Sequence, residues 1–309
     1  METVIICGPQ ASGKSSIVKE FPNHTRLNRD TIGGKMQGLE KLMEEALSKG
    51  KDVVLDNTFC TSEDREPFIK IAKKYNSIIK CIYMDTSVED CLINACVRMI
   101  ENYGKIPKNI EDDKSKHPDM FPPAPIYKYF KRVNKPSKDE GFDSLEFRKF
   151  SRQWPKYLKN KAIIFDYDGT LRYTNGGNGK YPTCEEEQGY YTNRHEVIKK
   201  YKEQGYILLG ASNQSGIAKG HLTEDMAKKL FDLTNKNIGF DIEYSFCPHS
   251  VPPIKCYCRK PGPAMGVEFI FKHNLNPSET IMVGDMKTDE TFAKRLGFKF
   301  IHVDNFFKE

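Results

Sequence analysis

A chain of 309 residues is long enough for two domains, each with its own core. A net charge of +6 permits an acidic partner, although solubility alone is reason enough for it. No apolar run approaches the roughly 18 residues of a membrane span and nothing near Met1 reads as a signal or transit peptide, so the expectation is a soluble intracellular protein, cytoplasmic or nuclear, with no membrane partner. In such a compartment nine cysteines do not imply disulfides.

In chain order, Thr3 to Cys7 reads as a buried strand and Lys14 to Glu20 as the start of a helix. Gly38 to Ser48 reads as an amphipathic helix, Asp52 to Leu55 as a strand, Ser62 to Tyr75 as a helix, Ser77 to Met84 as a strand and Val88 to Ile100 as a helix. This alternation predicts a parallel sheet covered on both faces. Between the first strand and helix lies Gly8-x4-Gly13-Lys14-Ser15, the strand-to-helix context of a P-loop. Gly8 and Gly13 let backbone N–H groups face phosphates, Lys14 reaches the β/γ oxygens of ATP or another NTP, and Ser15 ligates Mg²⁺. Asn28-Arg29-Asp30 and Asp56-Asn57-Thr58 sit where strands should end, facing the same crevice. Asp30 reads either as the general base for an acceptor hydroxyl or as a helix N-cap, and Asp56 either as a group orienting metal water or an arginine or as a turn cap.

From Tyr103 to Pro125 six glycines and prolines interrupt the pattern, which predicts a loop or lid over about 98–125. Between Lys128 and Lys161 eleven lysines and arginines face four acidic residues and are interleaved with aromatics. The stretch reads either as a track for a nucleic-acid strand or as a surface linking two domains. The first domain is placed at 1–155 and the second, beginning with the strand-like Lys161 to Phe165, at 156–309.

In the second domain, Asp166-x-Asp168-Gly169-Thr170 puts two carboxylates at a strand's carboxyl end. Asp166 is positioned to attack phosphorus and Asp168 to protonate the leaving oxygen and later activate water. Ser212 follows a strand-like run and supplies a hydroxyl for phosphate, and Lys260 neutralises charge. Gly284-Asp285-x3-Asp289 completes with Asp166 and Asp168 a carboxylate shell for Mg²⁺. Cys247, His249, Cys256 and Cys258 bring three thiolates and one imidazole together in a loop over 247–258, the donor set of tetrahedral Zn²⁺.

The P-loop, Asn28-Arg29-Asp30, Asp56-Asn57-Thr58 with Arg65 after it, and a helix carrying Arg98 into the lid together resemble the kinase domain of polynucleotide 5′-kinase/3′-phosphatases. The resemblance implies that Asp30 activates a polynucleotide 5′-OH and that Arg98 closes over the donor phosphates. Arg98 also reads as an exposed helix arginine. Gly33 stands where the phage member has an arginine that grips the acceptor's phosphate, so acceptor preference does not carry over. The Asp-x-Asp-Gly-Thr series resembles the haloacid dehalogenase (HAD) superfamily, and the Cys/His block resembles its zinc-containing branch of histidinol-phosphate and heptose-bisphosphate phosphatases. The expected fold is therefore α/β: a P-loop NTPase-like parallel sheet, then a Rossmann-type HAD-like sheet without a large cap. The expected function is healing of DNA or RNA ends, with 5′-OH phosphorylation, 3′-phosphate removal and hand-off to a ligase. The alternative is a kinase/phosphatase acting on sugar or nucleoside phosphates.

Overall fold

The computed structural model describes residues 1–29, 33, 36–108, 110, 120–176, 181–252 and 256–308. Two compact units divide the chain, one of Met1–Asn94 with Ala124–Arg152, the other of Ala95–Pro123 with Gln153–Glu309. No described helix is long and apolar enough to cross a membrane.

The first unit is built on five parallel strands, β1 (Glu2–Cys7), β2 (Thr25–Leu27), β3 (Val53–Asp56), β4 (Ile78–Asp85) and β5 (Ser144–Lys149), in the order β2-β3-β1-β4-β5. Side chains alternate across a strand. Ile5 and Cys7 of β1 therefore join one core cluster with Leu55 and Tyr83, while Val4 and Ile6 join another with Val54 and Met84. Burial on both faces is what an all-parallel sheet requires. The helix Met36–Ser48 covers one face with Leu39, Met43, Ala46 and Leu47, all on one stripe of its surface. The helix Ser62–Lys74 begins with a capping box in which Thr61 and Asp64 satisfy each other's backbone N–H groups. The helix that starts at Val88 ends at Tyr103, a turn beyond the expected Ile100.

Two elements depart from the sequence reading. The basic, aromatic stretch from Lys128 holds regular elements that the sequence reading did not mark: Ala124–Arg132 is helical and Ser144–Lys149 is an edge strand paired with β4. That strand was hidden because only Leu145 and Arg148 of its six residues are half-buried and the rest are exposed, so no apolar alternation marks it.

The second unit carries β6 (Asn160–Phe165), β9 (Ile207–Asn213), β10 (Glu243–Cys247), β11 (Leu275–Gly284) and β12 (Lys299–His302), all parallel in the order β10-β9-β6-β11-β12. An antiparallel pair, β7 (Arg172–Thr174) and β8 (Gln188–Tyr190), follows β6. Between Thr170 and the start of β9 at Ile207 the described residues form only that pair and the helix Arg194–Glu203, so no large cap is inserted there. Central β6 lies between β9 and β11, and the carboxyl ends of these three strands deliver the residues that follow.

Candidate active site

In the first unit β1 runs into the glycine loop. Gly8 takes φ +147°, and a Cβ there would stand 2.8 Å from Met84 Cβ, so the loop crosses β4 at a distance only glycine allows. The loop is pinned from outside: Thr86 Oγ1 donates to Ser12 O at 3.0 Å and Asn94 Nδ2 to Ala11 O at 2.8 Å. Lys14 Nζ donates to the Gly8 and Pro9 carbonyls at 3.0 and 2.7 Å, folded over the loop it would serve. Ser15 Oγ reaches Asp56 Oδ2 at 3.5 Å, and Asp56, 1% exposed, also accepts from Arg26 Nη2. A hydroxyl and a carboxylate side by side suit a hard dication beside nucleotide phosphates.

Asp30 lies outside the described residues; its neighbour Arg29 is held through its N–H by Asn57 Oδ1 at 3.1 Å. Arg98 falls in the other unit, its guanidinium 5.4 Å from the Phe121 ring centre. Arg65, part of the motif set, is fully buried and serves the scaffold, donating to both Glu140 carboxylate oxygens and to the Phe59 and Asn134 carbonyls. Beside the loop, still within the first unit, opens a cavity of about 620 Å³ whose lining includes Gln10, Arg29, Phe59, Lys128, Tyr129 and Arg132. Three cations line it against one carboxylate, Asp64, which accepts from its helix cap. Sequence reasoning missed Arg26, because nothing local to β2 announces that Asp56 will be its partner.

In the second unit the turn after β6 is set by Tyr167. Its ring lies across Gly210, where a Cβ would come within 2.4 Å, and its hydroxyl donates to Asn235 Oδ1 at 2.9 Å. Asp166 and Asp168, at 7% and 9% exposure, flank this anchor. Gly169, at φ +85°, lets the loop approach Asp285, whose Oδ2 would be 2.6 Å from a Cβ there. Carboxylate oxygens of Asp166, Asp285 and Asp289 converge within 4.8 Å of one another, a group that can hold a metal ion. Lys260, 2% exposed, places Nζ 2.9 Å from Asp166 Oδ1, 2.7 Å from Asp289 Oδ1 and 2.6 Å from the Ala211 carbonyl. Burial pushes the Asp166 carboxyl up to about 7 against the pull of Lys260. Burial also works against the lysine's charge, yet Asp166 and Asp289 hold its pKa above the ordinary value. Three converging carboxylates, two of them paired with one ammonium, leave negative charge that a dication would neutralise, so the residues fit Mg²⁺.

Asp168, expected from the sequence among the ligands, is engaged otherwise. Its Oδ1 accepts from Arg172 Nε at 2.8 Å and its Oδ2 from Gln214 Nε2 at 2.7 Å, and it stands outside the converging group. Gln214 also donates to Ser212 Oγ at 3.0 Å, tying the expected phosphate-binding hydroxyl to the same frame. Arg172 carried a local signal, four residues after Asp168, that the motif pattern does not include.

Cys247, His249, Cys256 and Cys258 also bring their ligand atoms within 4.8 Å of one another. Cys247 Sγ and Cys256 Sγ are 3.7 Å apart, and His249 Nδ1 lies 3.4 Å from both Cys247 and Cys258 Sγ. A tetrahedron with metal–sulfur bonds of about 2.3 Å has edges of about 3.8 Å, slightly shorter toward nitrogen, so these spacings suit zinc. The clip is tied to the segment that carries Lys260, since Arg259 Nη1 donates to His249 O at 3.1 Å and Asn213 clamps the Lys260 backbone at 2.9 and 3.0 Å.

Comparison with known proteins follows the same division. A family model described as an AAA domain matches residues 4–103, and one described as HAD-hydrolase-like matches residues 257–305. The chain is 33% identical over 144 residues to D-glycero-beta-D-manno-heptose-1,7-bisphosphate 7-phosphatase of Pasteurella multocida, covering 43% of this chain and 76% of that protein. It is 30% identical to the probable enzyme of that kind from Thermoplasma volcanium, over 45% of this chain and 96% of the other. Among solved structures, a D,D-heptose 1,7-bisphosphate phosphatase from B. bronchiseptica complexed with magnesium and phosphate is similar at 23% identity and TM-score 0.40, covering 45% of this chain and 78% of that one. A chain of the Pnkp1/Rnl/Hen1 complex aligns over 98% of this chain and 96% of its own at 16% identity and TM-score 0.35, too loose a likeness to carry an inference. The fold and the two sites define an α/β enzyme with an N-terminal P-loop kinase domain, which implies an NTP, and a C-terminal HAD-like phosphatase domain, which implies Mg²⁺. The chain belongs, through that second domain, to the HAD-like hydrolase family represented by the D-glycero-D-manno-heptose-1,7-bisphosphate 7-phosphatases.

Proposed function

We propose that the chain is a bifunctional nucleic-acid end-healing enzyme, phosphorylating 5′-OH ends of DNA or RNA from an NTP and removing 3′-phosphates, with the healed ends passing to a ligase. The observation that carries the reading is the cavity beside the glycine loop, whose lining brings Arg29, Lys128 and Arg132 together. Three cations against one carboxylate suit an acceptor bearing phosphates rather than a neutral sugar, while the rings of Phe59 and Tyr129, 2% and 4% exposed, form the buried wall behind them.

In the kinase reaction the loop N–H groups and Lys14 bind the donor phosphates, Asp30 takes the proton of the acceptor hydroxyl, and Arg98 meets the charge on the transferring group. In the phosphatase reaction an Asp166 oxygen bonds to phosphorus as the ester P–O bond breaks, and the leaving oxygen takes a proton from Asp168. Asp168 then removes a proton from water, whose oxygen attacks phosphorus and breaks the bond to Asp166. Ser212 and Lys260 hold the phosphoryl oxygens through both steps. Mg²⁺ bound by Asp166, Asp285 and Asp289 supplies charge neutralisation for the phosphoryl group. Zn²⁺ held by the Cys/His clip is structural, fixing the loop that presents Lys260.

The identity to heptose-bisphosphatases favours a second reading, in which both domains act on small sugar or nucleoside phosphates. Oligonucleotide binding as a function of salt separates the two. A polynucleotide site weakens linearly in log–log form, and Lys128→Ala or Arg132→Ala each lowers the slope by about one. Binding with no salt dependence, or slopes unchanged in both variants, contradicts the cavity's assignment.

A further inference from the structure

We propose that Arg172, with Gln214 opposite, is the positioning residue that fixes the Asp168 carboxylate for proton transfer to the leaving oxygen, an inference resting on the phosphatase reading above. Arg172 opens β7 and is 1% exposed. Its Nε donates to Asp168 Oδ1 at 2.8 Å and its Nη1 to Gln188 Oε1 at 3.1 Å. Gln188 of β8 is fixed in turn, donating to Thr234 Oγ1 at 2.9 Å and to the Leu230 carbonyl at 3.1 Å. The guanidinium carbon lies 4.8 Å from the Phe231 ring centre and 5.6 Å from that of Tyr167. Aromatic faces and a planar hydrogen-bonded fork leave the cation one orientation.

Burying an arginine is unfavourable unless it is paired and hydrogen-bonded, and an apolar residue would fill the space between Phe231 and Tyr167 without that cost. The anion it meets lies two residues past the nucleophile. A carboxylate turns freely about its last torsion, whereas one held at both oxygens does not. As the P–O ester bond breaks, its electron pair goes to the leaving oxygen, the Asp168 proton follows, and the negative charge moves to Asp168. Arg172 and Gln214 are already aimed at those oxygens, so the charge develops against donors that need not reorganise.

This role depends on the leaving group. An alkoxide needs the proton as it departs, and p-nitrophenolate does not. With Mg²⁺ present, kcat/KM is measured for a 3′-phosphorylated oligonucleotide, a sugar phosphate and p-nitrophenyl phosphate; it reports the first phosphoryl transfer and not the later hydrolysis of the Asp166 ester. Arg172→Gln is expected to lose about 100-fold or more on the alkyl esters, the scale of general acid catalysis, and less than about fivefold on the aryl ester. Gln188→Ala leaves the arginine in place and loosens its support, giving the same skew at smaller amplitude even where Arg172→Gln fails to fold. Equal losses on alkyl and aryl esters, or no loss in either variant, overturn the inference while leaving the phosphatase reading intact. A wild type that releases phosphate from neither alkyl ester overturns that reading and this inference with it.

Discussion

Arg65 is an arginine of the kinase motif set, and its guanidinium is wholly buried against Glu140 and two carbonyls. Removing one partner of a buried ion pair costs about 3–5 kcal/mol because the other is left charged and dry. Glu140→Ala is therefore expected to lower the unfolding free energy by about 3 kcal/mol, read from urea denaturation, with kinase turnover retained below the melting transition. A loss under about 1 kcal/mol would place the pair among weak surface contacts. Residues whose position is set by neighbours in sequence were legible in the sequence: Lys14 and Ser15 after a glycine turn, Asp166 and Asp168 two apart at a strand end. The partners that tune them were not. Arg26 meets Asp56 thirty positions away and Gln214 meets Asp168 forty-six away, pairings created by strand order rather than by spacing.

At the scale of elements, buried strands were legible and polar ones were not. β1, β3 and β4 appear as largely apolar runs within a residue or two of their observed bounds, since parallel strands covered on both faces bury most of their side chains. The edge strand β5 carries Arg148 bonded to Glu146 and Glu20 in a half-exposed setting, and its composition reads as surface. The Cys/His clip was legible because its four donors lie close together in sequence, and its connection to Lys260 through Asn213 was not. Metal analysis of the purified protein is expected to find about one zinc per chain. Cys256→Ser is expected to lose it at a cost of about 2 kcal/mol, lowering the Tm of a domain this size by about 4–8 °C. Through the Asn213 clamp, phosphatase activity falls with it. Full zinc content and an unchanged Tm in that variant would contradict a structural clip.

The whole molecule joins a P-loop kinase domain, which implies an NTP, to a HAD-like phosphatase domain, with the glycine loop in one compact unit and the converging carboxylates in the other. Parallel sheets with a central strand feeding the reactive loop were predictable for both halves from the alternation of strands and helices. HAD-like and P-loop sheets host many chemistries, so substrate choice lies in the side chains at the strand ends and not in the sheets. Lys14→Ala is expected to abolish only phosphate transfer and Asp166→Asn only phosphate release, and loss of both activities from either change would contradict separate sites. The most direct test supplies ATP and Mg²⁺ with oligonucleotides bearing a 5′-OH or a 3′-phosphate, beside heptose and nucleoside phosphates, and follows phosphate gained and lost at each. End healing predicts transfer to the 5′ end and release from the 3′ end. Turnover of the small phosphates alone would contradict it and give the chain to small-molecule metabolism.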